Sequence, residues 1–230
     1  MQLKEGEQAE VLFGDKIIIQ NKSLYRFTSD SILLSRFARA KAHDNVADFC
    51  AGCGAVGYHF LCLNPNIQSL TLFEMQPSLA DMARRTAEAN GFNSTIVEGK
   101  LQEIGKEYDG AFSLILCNPP YERGGFENIS YEKAVCRKEL TITLDEILSI
   151  ASKKLKFGGR IAMTNRADRL AEVIYTMKKY GIEPKRIQLV KGAKNSPYYL
   201  LMIEGVKGGK PSVEIMPELI NTPQNGGSTL

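Results

Sequence analysis

An apolar run from Ala111 to Cys117 stops at Asn118-Pro119-Pro120-Tyr121, and no other stretch of this chain constrains its fold as tightly. The composition of AFSLILC is that of a strand buried on both faces, as in a parallel sheet. Two consecutive prolines cannot extend it, because each lacks an N–H and has a fixed φ. The strand therefore ends at Asn118. In an open α/β sheet, ligands bind beyond the carboxyl ends of the strands, so a rigid turn at this point is placed as a reaction site.

The residue types in the turn point to alkylation of an amine. An amine attached to an aromatic ring, or an amide nitrogen, is a poor nucleophile because its lone pair is delocalised. Asn118 is neutral and is no general base. Its side-chain carbonyl, with the backbone carbonyl of Pro119, can instead accept two N–H groups and aim the nitrogen lone pair at an electrophile, by positioning and electrostatic preorganisation. Pro120 stiffens the turn. Tyr121 suits stacking on a planar substrate, a contact worth roughly 1–3 kcal/mol per base. A proline turn that merely ends a strand is the plainer reading, but it leaves the upstream pattern unexplained.

That pattern is NVADFCAGCGAVG at residues 45–57, a short apolar strand ending near Asp48, then a glycine turn and an apolar helix through Cys62. Gly52, Gly54 and Gly57 satisfy G-x-G-x-x-G, which is weak by itself and equally compatible with a nicotinamide dehydrogenase. With Asp48 four residues before Gly52, the turn resembles the D-x-G-x-G-x-G turn of S-adenosylmethionine (SAM) methyltransferases. Cys50 replaces the first glycine of that pattern, while Gly52 and Gly54 keep the positions of closest backbone approach. The next strand ends at Glu74, followed by a helix from Pro77 to Asn90. An acidic residue at the tip of the second strand, about 20 residues beyond a glycine turn, accepts the ribose hydroxyls of an adenosine cofactor. A third strand near Ser94–Glu98 leads into Gly99-Lys100-Leu101. Leu101 is a further pocket candidate, and Lys100 stands where such methyltransferases carry an acidic residue for the adenine amine. Glu98, Glu103 or backbone groups are the alternatives for that contact.

The glycine turn, Glu74 and Asn-Pro-Pro-Tyr occur in order, preceded by YRFTSDSILLSRFA from Tyr25 to Ala38. Together they resemble the bacterial tRNA (adenine-N6)-methyltransferases that modify valine tRNA beside its anticodon, over about Val11 to Ile220. The resemblance implies SAM as cofactor, a tRNA adenine amine as acceptor, and Tyr25, Thr28 and Asp30 as contacts near the methionine end of the cofactor. It adds Asn118 to the cofactor pocket. Read from the residues alone, Ser29 or Asp30 is a helix N-cap. Release-factor glutamine methyltransferases also share Asn-Pro-Pro-Tyr, but they carry an N-terminal helical domain; ribosomal RNA guanine-N2 methyltransferases typically end the motif in Phe. From other classes, a nicotinamide oxidoreductase lacks a hydride-relay constellation here, and a non-catalytic RNA binder would leave the motif unexplained.

With 230 residues, 43% hydrophobic and 24% charged, the chain can bury one substantial core. A single methyltransferase domain over residues 1–220 is expected, with residues 221–230 a disordered tail. Strands alternating with helices predict a Rossmann-like class I α/β fold. Its sheet would be mostly parallel and seven-stranded, ending in an antiparallel hairpin of Ile182–Val190 and Tyr198–Glu204. A further hairpin, Val11–Phe13 with Lys16–Gln20, precedes it. No apolar run approaches the roughly 18 residues of a membrane span, and MQLKEGEQAE is no signal peptide. A cytoplasmic, monomeric protein is expected. Cys50 and Cys53 form one C-x-x-C without a second pair or a spaced His, so no metal site is expected. His59 reads as a packed helix residue.

Net charge is only +3, but it is segregated. Residues 153–210 hold 14 Lys/Arg against 4 Asp/Glu, a local +10, whereas residues 1–152 hold 15 against 20, a local −5. Such segregation is the footprint of a polyanion-binding surface, although a charge run is more often a solvated face. Lys191 and Lys194, beside Tyr198 and Tyr199, combine phosphate binders with stacking rings. After the proline turn, Arg123 is a further RNA candidate, and Gly124-Gly125 would let that loop close over a flipped base. The resemblance to the family's basic segment adds Arg137 and Lys138, which read from the residues alone are exposed helix charges.

Overall fold

The computed structural model describes residues 2–24, 28–120 and 142–222. Two strands, β1 (Glu7–Phe13) and β2 (Lys16–Asn21), form an antiparallel hairpin. Helix α1 (Ser29–Phe37) follows, and then strands alternate with helices: β3 (Asn45–Phe49), α2 (Ala55–Leu63), β4 (Ser69–Glu74), α3 (Pro77–Asn90), β5 (Thr95–Glu98) and β6 (Phe112–Cys117). Beyond the undescribed stretch come α4 (Leu144–Lys154), β7 (Leu155–Arg166), α5 (Leu170–Lys179), β8 (Ile182–Lys191) and β9 (Tyr198–Lys207).

These strands form one sheet in the order β5-β4-β3-β6-β7-β9-β8. The first five are mutually parallel, and β9 runs antiparallel to both of its neighbours. The seven strands and the closing hairpin match the expected class I sheet. Two additions were not foreseen. The two-residue strands β10 (Glu214–Ile215) and β11 (Leu219–Ile220) pair parallel to β8, covering an edge that would otherwise present unpaired backbone groups. Nor does the chain fall away at residue 221. Asn221 N–H donates to the Lys191 carbonyl at 2.8 Å, and its side chain reaches Ser29 and Tyr199.

The sheet's period of two divides the core. Val46, Leu72, Leu114 and Leu116 point towards α1–α3 and the hairpin, whereas Ala47, Phe49, Phe73, Ile115 and Met163 point towards α4 and α5. Helix α4 begins with a capping box in which Thr143 accepts from Glu146 N–H and the Glu146 carboxylate accepts from Thr143 N–H, satisfying two otherwise orphaned donors.

Because β3 sits between β4 and β6, chain direction across the sheet reverses at β3, which makes it the topological switch point. Register then brings distant residues together. Phe49 is opposite both Phe73 and Cys117, and Cys117 is opposite Met163. One residue further on, Cys50, Glu74, Asn118 and Thr164 stand side by side at the carboxyl edge.

Candidate active site

A cleft with about 820 Å³ of space, counting its open mouth, lies over this edge, where ligands bind in an open α/β sheet. Its wall includes Gly52, Glu74, Leu101, Asn118 and Pro120, all anticipated. It also includes Ser31, Val56, Met75, Gln76, Leu79, Gln102 and Ile142, which the sequence did not flag. Most of these are apolar positions with no chemical signature. Only the residues next to Glu74 could have been inferred, by adjacency.

The turn after β3 alternates left-handed backbone with ordinary residues. Cys50 has φ +57°, Gly52 φ +60° and Gly54 φ +91°. The replacement of the first glycine by Cys50 thus keeps the turn, at a cost of roughly 1–2 kcal/mol for a residue with a Cβ. A Cβ on Gly52 would meet nothing within 4 Å, because it would project into open space. Gly54 serves otherwise. A Cβ there would lie 2.4 Å from the Tyr58 ring, so this glycine permits close packing under α2 and does not line the cleft.

Glu74 is buried, and its two oxygens accept from the backbone N–H groups of Gly52 and Gln76, each at 2.8 Å. Burial raises its pKa, and the backbone donors oppose that rise. The carboxylate thereby ties the glycine turn to the tip of β4, while each oxygen keeps lone-pair capacity for a ligand hydroxyl.

Asp48 departs from expectation. It faces α2, two residues before Cys50, and does not line the cleft. Its Oδ2 accepts from Gly57 N–H at 2.8 Å, and its Oδ1 is buried without a partner among the described residues. Burial pushes its pKa up to about 8, with Glu74 adding a smaller rise against the lowering bond from Gly57. The residue anchors the helix that carries the turn.

Thr28, not Ser29 or Asp30, occupies the N-cap of α1, and its side chain makes no capping bond. Asp30 is buried and accepts from the Tyr199 hydroxyl at 3.4 Å. Neither residue lines the cleft; Ser31 does. Tyr25, Tyr121, Arg123, Arg137, Lys138 and the Gly124-Gly125 loop lie outside the described residues. Lys100 is exposed, and Gln102 lines that side of the cleft with its amide donating to Glu146 at 3.2 Å.

The Asn118 amide is held at both ends. Thr164 Oγ1 donates to Asn118 Oδ1 at 2.6 Å, and Asn118 Nδ2 donates to Ser31 Oγ at 3.1 Å. Cys117 lies behind it, buried, with its thiol pKa raised by the neighbouring Cys50 thiol and by burial. Cys50 thus contacts Cys117, while Cys53 is buried separately. Among the described residues no group of three His, Cys, Asp or Glu side chains is gathered to hold a metal. His59 packs as expected: buried, bonded through Nδ1 to Ser35 at 2.7 Å, edge-on to Phe13, and pushed down to about 4 by burial and then by Arg36.

Eight of the fourteen basic residues of the segment are paired with acids within the fold. Lys154, Arg160, Arg166, Arg169, Lys178, Lys179, Arg186 and Lys191 pair with Asp109, Asp44, Asp168, Glu172, Glu183, Asp145, Glu204 and Glu218 respectively. Four of these acids lie outside residues 153–210, so counting charge along the chain overstated the free charge on the surface. Lys191 needs particular correction as a phosphate binder. It is buried, 2.7 Å from Glu218 and over the Tyr198 ring, and Tyr198 also donates to Glu218. Lys194, at the hairpin tip, is exposed and makes no ion pair among the described residues. Among the described residues no helix is long and apolar enough to cross a membrane.

The methyltransferase small domain family matches residues 28–177. The chain is similar to proteins named tRNA1(Val) (adenine(37)-N6)-methyltransferase. The Porphyromonas gingivalis W83 protein is 26% identical over 76% of this chain and 71% of its own length, and the Photobacterium profundum protein 24% identical over 77% and 75%. Among solved structures, a predicted O-methyltransferase from Agrobacterium tumefaciens superposes with a TM-score of 0.67 at 20% identity, covering 83% of this chain and 86% of its own. TYW2 from P. horikoshii, in complex with MeSAdo, does so with a TM-score of 0.63 at 13% identity, covering 90% and 73%. These likenesses establish the fold.

Proposed function

Because the chain belongs to the methyltransferase small domain family, we propose that it transfers a methyl group from SAM to the exocyclic N6 amine of adenine 37 in a valine tRNA. The observation that carries this reading is the meeting of Gly52, Glu74 and Asn118 in one cleft, from three strands in register. The names of the relatives supply the tRNA and the adenine.

The residues present fit SAM. Gly52 leaves backbone open to the cleft, Glu74 offers carboxylate oxygens for two ribose hydroxyls, and Leu79, Met75 and Leu101 provide apolar walls for an adenine. When bound, SAM supplies a sulfonium methyl electrophilic enough that orientation of the acceptor accounts for much of the rate. Asn118 Oδ1 and the Pro119 carbonyl accept the two amine hydrogens and turn the nitrogen lone pair towards the cleft. Pro119 and Pro120 keep that carbonyl fixed, and Tyr121 stacks on the base. The product proton leaves to solvent. A tRNA substrate supports reading the protein as a cytoplasmic enzyme, and residues 1–220 are proposed to act as one domain.

Incubating the protein with SAM and unmodified valine tRNA should yield N6-methyladenosine at position 37, read by nucleoside mass spectrometry. Methylation of a release-factor glutamine instead, with tRNA unchanged, would overturn the assignment. Asn118→Ala should lower transfer by about two to three orders of magnitude while SAM affinity stays within about threefold, because the residue orients the acceptor and not the cofactor.

A further inference from the structure

Asn118 is asked to present a carbonyl oxygen in a fixed direction, yet the terminal torsion of an asparagine is broad and roughly two-fold. The surrounding fold removes that freedom. Thr164 is fully buried on β7, in the register position beside Asn118, and donates to Oδ1 at 2.6 Å. Ser31 is 2% exposed on α1, on the other side, and accepts from Nδ2 at 3.1 Å. An amide offers two donors and two acceptor lone pairs. These two bonds use one of each and leave one lone pair on Oδ1 for an incoming N–H.

We propose that Thr164 and Ser31 are positioning residues that lock the plane of the Asn118 amide from opposite ends, so that Oδ1 meets the acceptor amine ready-aligned. This rests on the reading of Asn118 as the group that orients the amine. Neither hydroxyl needs to touch the reacting atoms. Thr164 is supplied by the sheet, whereas Ser31 is supplied by α1, whose first turn is itself held by the bond from Asn221 Nδ2 to Ser29 Oγ at 2.9 Å. The alignment of the reacting group therefore depends on correct docking of α1 as well as on the Asn-Pro-Pro-Tyr turn.

The test is a split of kinetic constants with rescue. Thr164→Val keeps the shape and removes the hydroxyl. It should lower kcat by about ten- to a hundredfold, the scale of an ångström-level misplacement, with SAM Kd and KM for tRNA within about twofold. Thr164→Ser should recover most of the loss. In an Asn118→Ala background, Thr164→Val should have no further effect on residual transfer, because the two act as a unit. If Thr164→Val does not fold, Ser31→Ala carries the same expectation for kcat. Wild-type kcat in the folded hydroxyl variant, or a loss that Thr164→Ser does not rescue, would overturn the proposal. Wild-type turnover in Asn118→Ala would overturn the underlying functional reading instead.

Discussion

At the scale of single residues, the two carboxylates of the β3 and β4 tips behave differently although both are buried. Glu74 spans two backbone donors at the cleft, so Glu74→Ala should weaken SAM binding by at least tenfold in calorimetry. It should also destabilise the turn by about 1–3 kcal/mol through the two amides left without an acceptor. A variant with wild-type SAM affinity would remove Glu74 from the cofactor site. Asp48 has a folded pKa of about 8, well above its ordinary value of 3.8. Its contribution to stability is therefore fully present below pH 4 and is lost progressively as pH rises to 8, because the unfolded chain releases the proton first. Asp48→Asn removes this titration while an amide oxygen can still accept from Gly57. Thermal unfolding from pH 5 to 9 should show a flatter profile for the variant, more stable than the parent by roughly a few kcal/mol at the alkaline end. Parallel profiles would refute the shifted carboxyl.

At the scale of elements, the segment Glu214–Asn221 lies along the β8 edge and is fastened by Glu218 and Asn221. Lys191→Ala breaks a pair with Glu218 that is partly exposed on the acid's side, so the cost is about 0.5–1 kcal/mol in urea unfolding. It should leave the salt dependence of tRNA binding unchanged, because the ammonium is already neutralised. Lys194→Ala should leave stability unchanged and lower the log-log salt slope by about 0.7–0.9 if it holds one phosphate. Equal slopes for Lys194→Ala and the parent would show that the hairpin tip does not dock RNA. The hairpin strands were legible because they are runs rich in β-branched and apolar residues separated by the turn residues Gly192 to Pro197. The fastening was not, because a two-residue strand has no period and ion pairing between residues 191 and 218 has no local signature.

At the scale of the molecule, the sheet is clamped at the end away from the cleft. Asp44 accepts from Ser113 at 2.6 Å and pairs with Arg160 at 2.5 Å, and Arg160 also donates to the Arg39 carbonyl at 3.2 Å. This joins α1, β3, β6 and β7 at their far ends. Asp44→Ala leaves a buried guanidinium uncompensated and should cost about 3–5 kcal/mol, seen as a lowered urea midpoint, with SAM affinity of the remaining folded fraction unchanged. Loss of less than about 1 kcal/mol would show that the clamp is dispensable.

The sequence by itself determined the alternation of strands and helices, the glycine turn, Glu74 at a strand tip and the forced stop at Asn118. Each is written in a local signal: hydrophobic period, φ freedom, or the missing N–H of proline. Only the tertiary structure decided which of these residues share a cleft. Asp48 and Gly54 carry the expected motif, but Asp48 is bonded to Gly57 N–H and Gly54 lies against the Tyr58 ring, so both serve the packing of α2. Thr164 and Ser31 carry no motif, yet they hold Asn118, because sheet register and helix docking set distances that chain separation does not encode. The same holds for charge. The basic segment was visible as a count, but four of its acidic partners, Asp44, Asp109, Asp145 and Glu218, come from elsewhere in the chain, and only folding brings them to it.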